Sequence, residues 1–349
     1  MEKSFEKILI NQNANLLEAL TKMDKADGKL LIVTDNKNLF VSLVSIGDIQ
    51  RAIISNIRLE TSIKEIMRLD VQIGREGENF ETIKQYMRVH RNEFMPVINA
   101  ENEIIDVIFW NDLFSEKPVT EKFDLPVVIM AGGKGTRMKP ITNIIPKPLI
   151  PIGDKSMLEL IMERFNNFGS KRFFLSLNFK AEIIQFYLDS ISLPYIIESF
   201  KEENFYGTAG SLSLMKNKIN ETFFVSNCDI LVDADYADIL KYHMENSNEL
   251  TIVAALKNYD IPYGTLETKE SGKLISIQEK PNFTFKINTG VYILEPNLLD
   301  EIPEDEFFHI TDLMQSLLDQ DRKVGVYPIS EGSWKDFGTW REYLLNEIN

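Results

Sequence analysis

Cysteine and histidine are scarce in this sequence: of 349 residues, one is a cysteine (Cys228) and three are histidines. That excludes an internal disulfide and a Cys/His zinc cluster. Positive charge is also short. There are 38 Lys and Arg against 53 Asp and Glu, a net charge of −15 with a pI near 4.8. Nucleic-acid binding through a broad basic face is therefore not expected. No apolar run reaches the ~18 residues of a membrane span, and the opening MEKSFEKILINQN is too charged for a signal peptide. A soluble, cytoplasmic protein with neither a membrane nor a nucleic-acid partner is the expectation. The acidic excess is spread evenly, with 16 basic and 21 acidic residues up to Asp124 and 22 and 32 after it. A surface of that sign repels phosphates, so a phosphate ligand must be met by local donors or by metal.

What is present has an ordinary globular composition, 44% hydrophobic and 26% charged, at a length that allows two domains or one large one. The first third matches itself without gaps at an offset of 64 residues. VTDNKNLFVSLVSIGDI, starting at Val33, lies over VINAENEIIDVIFWNDL, starting at Val97, and Asn38 and Asp48 meet Asn102 and Asp112. Each copy reads as helix, strand, turn, strand, helix. A unit of that size buries too little surface alone, so the copies are expected to pack as one module. The pattern resembles a tandem pair of CBS domains, with copies at 1–60 and 65–116. That likeness implies an adenine-nucleotide regulatory site at Ser45, Asp48 and Asp112, although Phe109 stands where the second copy should have its hydroxyl. The alternative is that both Asp residues cap the helices that follow them. The segment 117–124, polar and holding Pro118, reads as a linker.

From Leu125 the character changes. Val127–Ala131 is a short continuous apolar run, as in a fully buried parallel strand, and it ends in Gly132, Gly133 and Gly135. Glycines there let backbone N–H groups converge into an anion-binding nest. No Gly-Lys-Ser/Thr follows, so it is not a Walker loop. Arg137 supplies charge close by, and Lys147 does so from between two prolines that hold its backbone extended.

This stretch, GGKGTRMKPITNIIPKPLIPI, resembles the opening motif of the sugar-nucleotide pyrophosphorylases, and residues 125–349 follow that family's pattern. The likeness implies an α/β fold with a doubly wound, mostly parallel sheet. It implies nucleoside triphosphate binding by Ala131, Gly132, Gly133, Gly135, Thr136, Arg137 and Lys147. Gly207 and Thr208 of YGTAGSL would lie against the base, although the segment read cold is a glycine-bounded turn before a helix, with Ser211 as its cap. Asp229, directly after the strand FFVSN, and Asp336, in WKDFGTW, would hold Mg²⁺. An acidic residue in such a position is costly unless paired or ligating metal. Gly264, Glu279, Lys280, Asn288 and Thr289 would line the sugar-phosphate pocket, with Thr289 departing from the family's usual Ala. Arg137, Lys147, Asp229 and Lys280 would carry the catalysis. No motif contains a histidine, which speaks against acid–base chemistry.

The implied reaction joins an NTP to a sugar 1-phosphate and releases pyrophosphate. The pairing with a CBS module favours GTP, with glucosamine 1-phosphate (as for legionaminic acid) or mannose 1-phosphate. CTP, UTP or dTTP is the alternative, and a catalytically silent nucleotide sensor is an alternative of another class. A homo-oligomer is expected. The sequence stops after the transferase pattern, so a fused acetyltransferase of hexapeptide repeats is not expected.

Overall fold

The computed structural model describes residues 5–26, 28–68, 71–90, 94–110 and 122–347. The chain divides into two compact units, Met1–Thr120 and Glu121–Asn349.

In the first unit, β1 (Leu9–Asn11) lies parallel to β2 (Leu30–Thr34), which pairs antiparallel with β3 (Phe40–Ser45). Helix α1 (Leu16–Ala26) joins the parallel pair, and α2 (Ile46–Ile54) follows β3. The arrangement then repeats with β4 (Gly74–Arg75), α3 (Phe80–His90), β5 (Phe94–Ile98) and β6 (Ile104–Phe109). α1, β2 and β3 map onto α3, β5 and β6 at the 64-residue offset, residue for residue. The turns repeat in their bonding too. Asp35 Oδ1 accepts the N–H groups of Lys37 and Leu39, and Asn99 Oδ1 accepts those of Glu101 and Glu103. Asn38 and Asn102 both take the left-handed conformation, at φ 61° and 62°, one that short polar side chains tolerate. The two turns meet, with Phe40 N–H donating to the Asn102 carbonyl at 2.9 Å.

The second unit is an α/β fold around a seven-stranded sheet. Its strands run in the order β11 (Ile196–Lys201), β10 (Arg172–Leu177), β7 (Val127–Met130), β12 (Phe223–Asn227), β17 (Asn282–Leu294), β14 (Leu250–Asp260) and β18 (Val324–Ser330). All run parallel except β17, which is antiparallel to both neighbours. Short pairs complete the strands: β8 with β9 (Pro151–Ile152, Lys155–Ser156), β13 with β19 (Ile230–Val232, Trp334–Asp336) and β15 with β16 (Thr265–Thr268, Leu274–Gln278).

Alternate residues of the central strands feed two cores. Val127, Ile129 and Phe224 face the helices Met157–Asn167, Ala181–Ser190 and Tyr236–Glu245, whereas Val128 and Val225 face Leu212, Leu313 and Leu317. Burial on both faces is why these strands read as unbroken apolar runs. The helix Met157–Asn167 starts where Ser156 and Glu159 form a capping box. Among the described residues no helix is long and apolar enough to cross a membrane.

Candidate active site

The carboxyl ends of the parallel strands collect the polar motifs, as open α/β sheets do with their ligands. After β7 the chain enters the glycine loop, where Gly135 sits at φ 59° and starts a 3-10 turn, Thr136–Met138. A Cβ on Gly135 would lie 2.8 Å from Thr142 Cγ2 and 3.2 Å from Lys147 Cβ, so only glycine fits. Buried Thr142 donates its hydroxyl to the Gly135 carbonyl at 2.9 Å, and Lys180 Nζ donates to the carbonyls of Thr142 and Asn143 at 3.2 and 2.6 Å. Loop and cations are thereby locked together.

After β12 comes Cys228 and then Asp229. The ladder β13–β19 pairs Ile230 with Asp336, and Phe337 N–H donates to the Asp229 carbonyl at 2.9 Å. The two carboxylates, 107 positions apart in sequence, are thus brought to one end of the sheet. Lys147, nearly buried, donates to the Asp229 carboxylate. The Asp336 carboxyl accepts the Gly338 N–H at 2.6 Å. Its pKa is raised, mainly by burial and further by the neighbouring Asp229 charge, against the lowering effect of the Gly338 bond and Lys147. Arg137 is exposed, and its guanidinium comes within 3.1 Å of the point where a Cβ on Gly338 would stand. Burial pushes the Cys228 thiol up to about 12, with Asp229 adding to the effect. It packs in the core beside the site and is no nucleophile.

Among the described residues no group of three or more His, Cys, Asp and Glu could hold a metal. The pair Asp229 and Asp336 fits Mg²⁺ none the less, because that ion takes one or two carboxylates and completes its shell with water and substrate phosphate.

Of the expected sugar-side residues, three flank an arm formed by β15 and β16, and Asn288 and Thr289 lie within β17. Gly264 precedes β15, and Glu279 and Lys280 follow β16. A Cβ on Gly264 would stand 2.9 Å from Glu279 Oε2, so these two are neighbours. Lys280 occupies the left-handed region at φ 44°. Asn288 accepts the Gly290 N–H at 3.0 Å.

Four expectations need correction or qualification. Thr289 is 2% exposed and donates its hydroxyl to the Val253 carbonyl at 2.8 Å, because strand alternation turns it from Asn288 into the sheet interior. Ser211 does not cap a helix: Gly207–Gly210 is itself a helical turn running on into Ser211–Met215, and Ser211 is buried within it. Thr208 accepts the Ile310 N–H at 3.0 Å, and so caps the helix Ile310–Asp319. In the first unit, Ser45 and Asp48 form a capping box, and the Asp48 carboxylate also bonds Arg51 and, at 3.0 Å, Arg68. The Asp48 carboxylate at that adenine-nucleotide position is therefore already engaged. Asp112 lies outside the described residues.

Glu202 is a residue the sequence did not single out. It directly follows β11, is 4% exposed, and accepts the Ser176 hydroxyl at 2.5 Å and the Tyr206 N–H at 3.3 Å. Burial raises its pKa against those two bonds. Its Oε1 lies 2.7 Å from where a Cβ on Gly132 would be. The carboxylate thus bridges the glycine loop and the YGTAG turn. Its only signal in the sequence was its place directly after a strand, in a run of charge that reads as solvated.

The glycine loop, the Lys147–Asp229 pair and the second carboxylate of Asp336 thus stand at the carboxyl edge of the α/β sheet, where such folds bind their ligands. The chain belongs to the nucleotidyl transferase family, whose model matches residues 126–347. It is similar to a UTP–glucose-1-phosphate uridylyltransferase from Synechocystis (30% identity; 63% of this chain, 61% of that one). It is equally similar to the mannose-1-phosphate guanylyltransferase of Mycobacterium tuberculosis (30% identity; 62% of each). The chain thus spans about three-fifths of these relatives' length. The crystal structure of HddC from Yersinia pseudotuberculosis superposes with a TM-score of 0.51 at 28% identity, covering 64% of this chain and 98% of that one.

Proposed function

We propose that the second unit transfers a nucleotidyl group from an NTP to a sugar 1-phosphate. A phosphate oxygen of the sugar 1-phosphate forms the new bond to the α-phosphorus. The α–β bridging bond breaks, and pyrophosphate leaves with its electron pair. The nucleophile is already an anion near pH 7, so no general base is required. Positioning and charge neutralisation then carry the catalysis. The glycine-loop amides and Arg137 would hold the triphosphate, Lys147 would orient Asp229 while adding positive charge, and Lys280 would anchor the incoming phosphate. Mg²⁺ held by Asp229 and Asp336 would supply a divalent charge against the reacting phosphate. The observation that carries this reading is the β13–β19 ladder, which joins the two carboxylates beside Lys147 and the loop.

GTP with glucosamine 1-phosphate or mannose 1-phosphate is the preferred pair. The relatives' names divide between UTP and GTP, and the preference for GTP rests on the pairing with the CBS-like first unit. The decisive experiment measures pyrophosphate release for four NTPs against a panel of sugar 1-phosphates. Release with no pair would favour the silent sensor.

We read the first unit as a CBS pair, a reading supported by the repeated strands, helix and turns. Titrating the full chain with AMP in a calorimeter tests its ligand. Heat that survives Asp48→Ala would place the ligand elsewhere.

A further inference from the structure

Lys180 breaks three local rules at once. It stands directly before the helix Ala181–Ser190, in the N-cap position, where Ser, Thr, Asp or Asn would bond the first free N–H groups, and its side chain makes no such bond. It takes the left-handed conformation at φ 57° and ψ 36°, a region that strains a long side chain. It also sets a positive charge at the end of the helix that is already positive. A residue so ill suited to its own neighbours is expected where something more distant holds it.

What holds it is the segment that carries the cations. Ile141–Asn143 is a single 3-10 turn, too short to bond its own last carbonyls. The carbonyls of Thr142 and Asn143 accept instead from Lys180 Nζ, at 3.2 and 2.6 Å, so a lysine from another element closes the turn. One residue earlier, Phe179 N–H donates to the Gly132 carbonyl at 3.3 Å. The stretch after β10 therefore grips the glycine loop at both ends, and the Thr142 hydroxyl passes the hold on to the Gly135 carbonyl. Trp340 Nε1 fixes the middle, donating to the Lys139 carbonyl at 2.9 Å. Between these ties lie Gly133, Gly135 and Arg137, and Lys147 follows four residues after Asn143. The Lys180 ammonium bonds carbonyls rather than a carboxylate, so its charge adds to the local positive field that a phosphate needs in a chain of net charge −15.

We infer that Lys180 is a positioning residue for the triphosphate: it sets the glycine loop and its cations in place before the NTP arrives, against the preferences of its own helix. The inference rests on the transferase reading, and its test separates the two. Lys180→Asn relieves all three local conflicts, since Asn caps helices and tolerates the left-handed region, but its side chain is too short to reach the two carbonyls. The urea midpoint of that variant should therefore not fall below wild type. Amide exchange across residues 133–145 should nevertheless quicken about tenfold. The KM for NTP should rise about tenfold, the size of one charge-assisted bond, with the KM for sugar 1-phosphate unchanged. Lys180→Arg, whose guanidinium has donors for both carbonyls, should keep exchange and KM near wild type. Wild-type exchange or a wild-type KM for NTP in the Asn variant overturns the inference. So does an equal rise in both KM values, or an Arg variant that behaves like the Asn one. Absence of pyrophosphate from the wild type would instead count against the transferase reading, and the exchange result would still decide whether Lys180 sets the loop.

Discussion

Lys147 and Lys280 are both cations of the second unit that the sequence assigns to phosphate, yet their settings are opposite. Lys147 is nearly buried, bonded to Asp229 and backed by Thr142, Lys180 and a glycine loop that admits no side chain. Lys280 stands on a left-handed turn at the foot of an arm whose strands face solvent. The first setting suits groups that must already be in place when charge shifts at phosphorus, since preorganised charge spends nothing on rearrangement. The second suits a substrate that must enter and leave. β17 links the two, its carboxyl end buried between β12 and β14 and its amino end out on the arm.

The largest effect is expected on the anchored side. Asp229→Asn should cut turnover by about 10²- to 10³-fold, with near-normal circular dichroism and little change in either KM. Near-wild-type turnover would remove the carboxylate pair from the mechanism. On the arm, Lys280→Met should raise the KM for sugar 1-phosphate by about 10- to 100-fold, the size of one charge-assisted bond, and leave the KM for NTP alone. If both KM values moved together, the division between the halves would fail.

Much of the anchored half was legible from the sequence because its constraints are local. A buried strand followed by glycines, Ser156 three positions before Glu159, and a repeat kept in register through Asn38 and Asn102 each depend on neighbours in the chain. Thr339 likewise caps the last helix as its position suggests, accepting the Glu342 N–H at 3.3 Å. What stayed hidden depends on contacts between distant segments. Nothing near Glu202 shows that Ser176 will meet it, and nothing in Trp334–Asp336 shows that it will pair with β13. The antiparallel course of β17 follows from the reversal at the arm, which no periodicity records. Thr289 shows the limit from the other side. Its place beside Asn288 in a motif suggested a shared role, but alternation along a strand gives adjacent residues opposite faces.

Gly135 and Gly133 test how tightly the anchored side is set. Gly135→Ala should cost about 1–3 kcal/mol of stability, the usual cost of a strained backbone region, and weaken NTP binding. Gly133→Ala, where an added Cβ meets nothing within 4 Å, should unfold at the wild-type urea concentration. Equal midpoints for the two variants would mean that the loop adapts.

The smallest effect should come from pH, at the buried end of β17. His243 is fully buried between Thr251 on β14 and Glu295 just past β17, bonded to them at 2.8 and 3.0 Å. Burial lowers its pKa below 6.5, and the Glu295 carboxylate only partly opposes that. The unfolded chain therefore takes up a proton at a higher pH than the folded one. The stability contributed by the neutral imidazole is fully present above pH 6.5 and is lost as the pH falls from there toward the folded value. The urea midpoint should decline slightly over that interval, and His243→Gln should flatten the decline at the cost of a lower midpoint throughout.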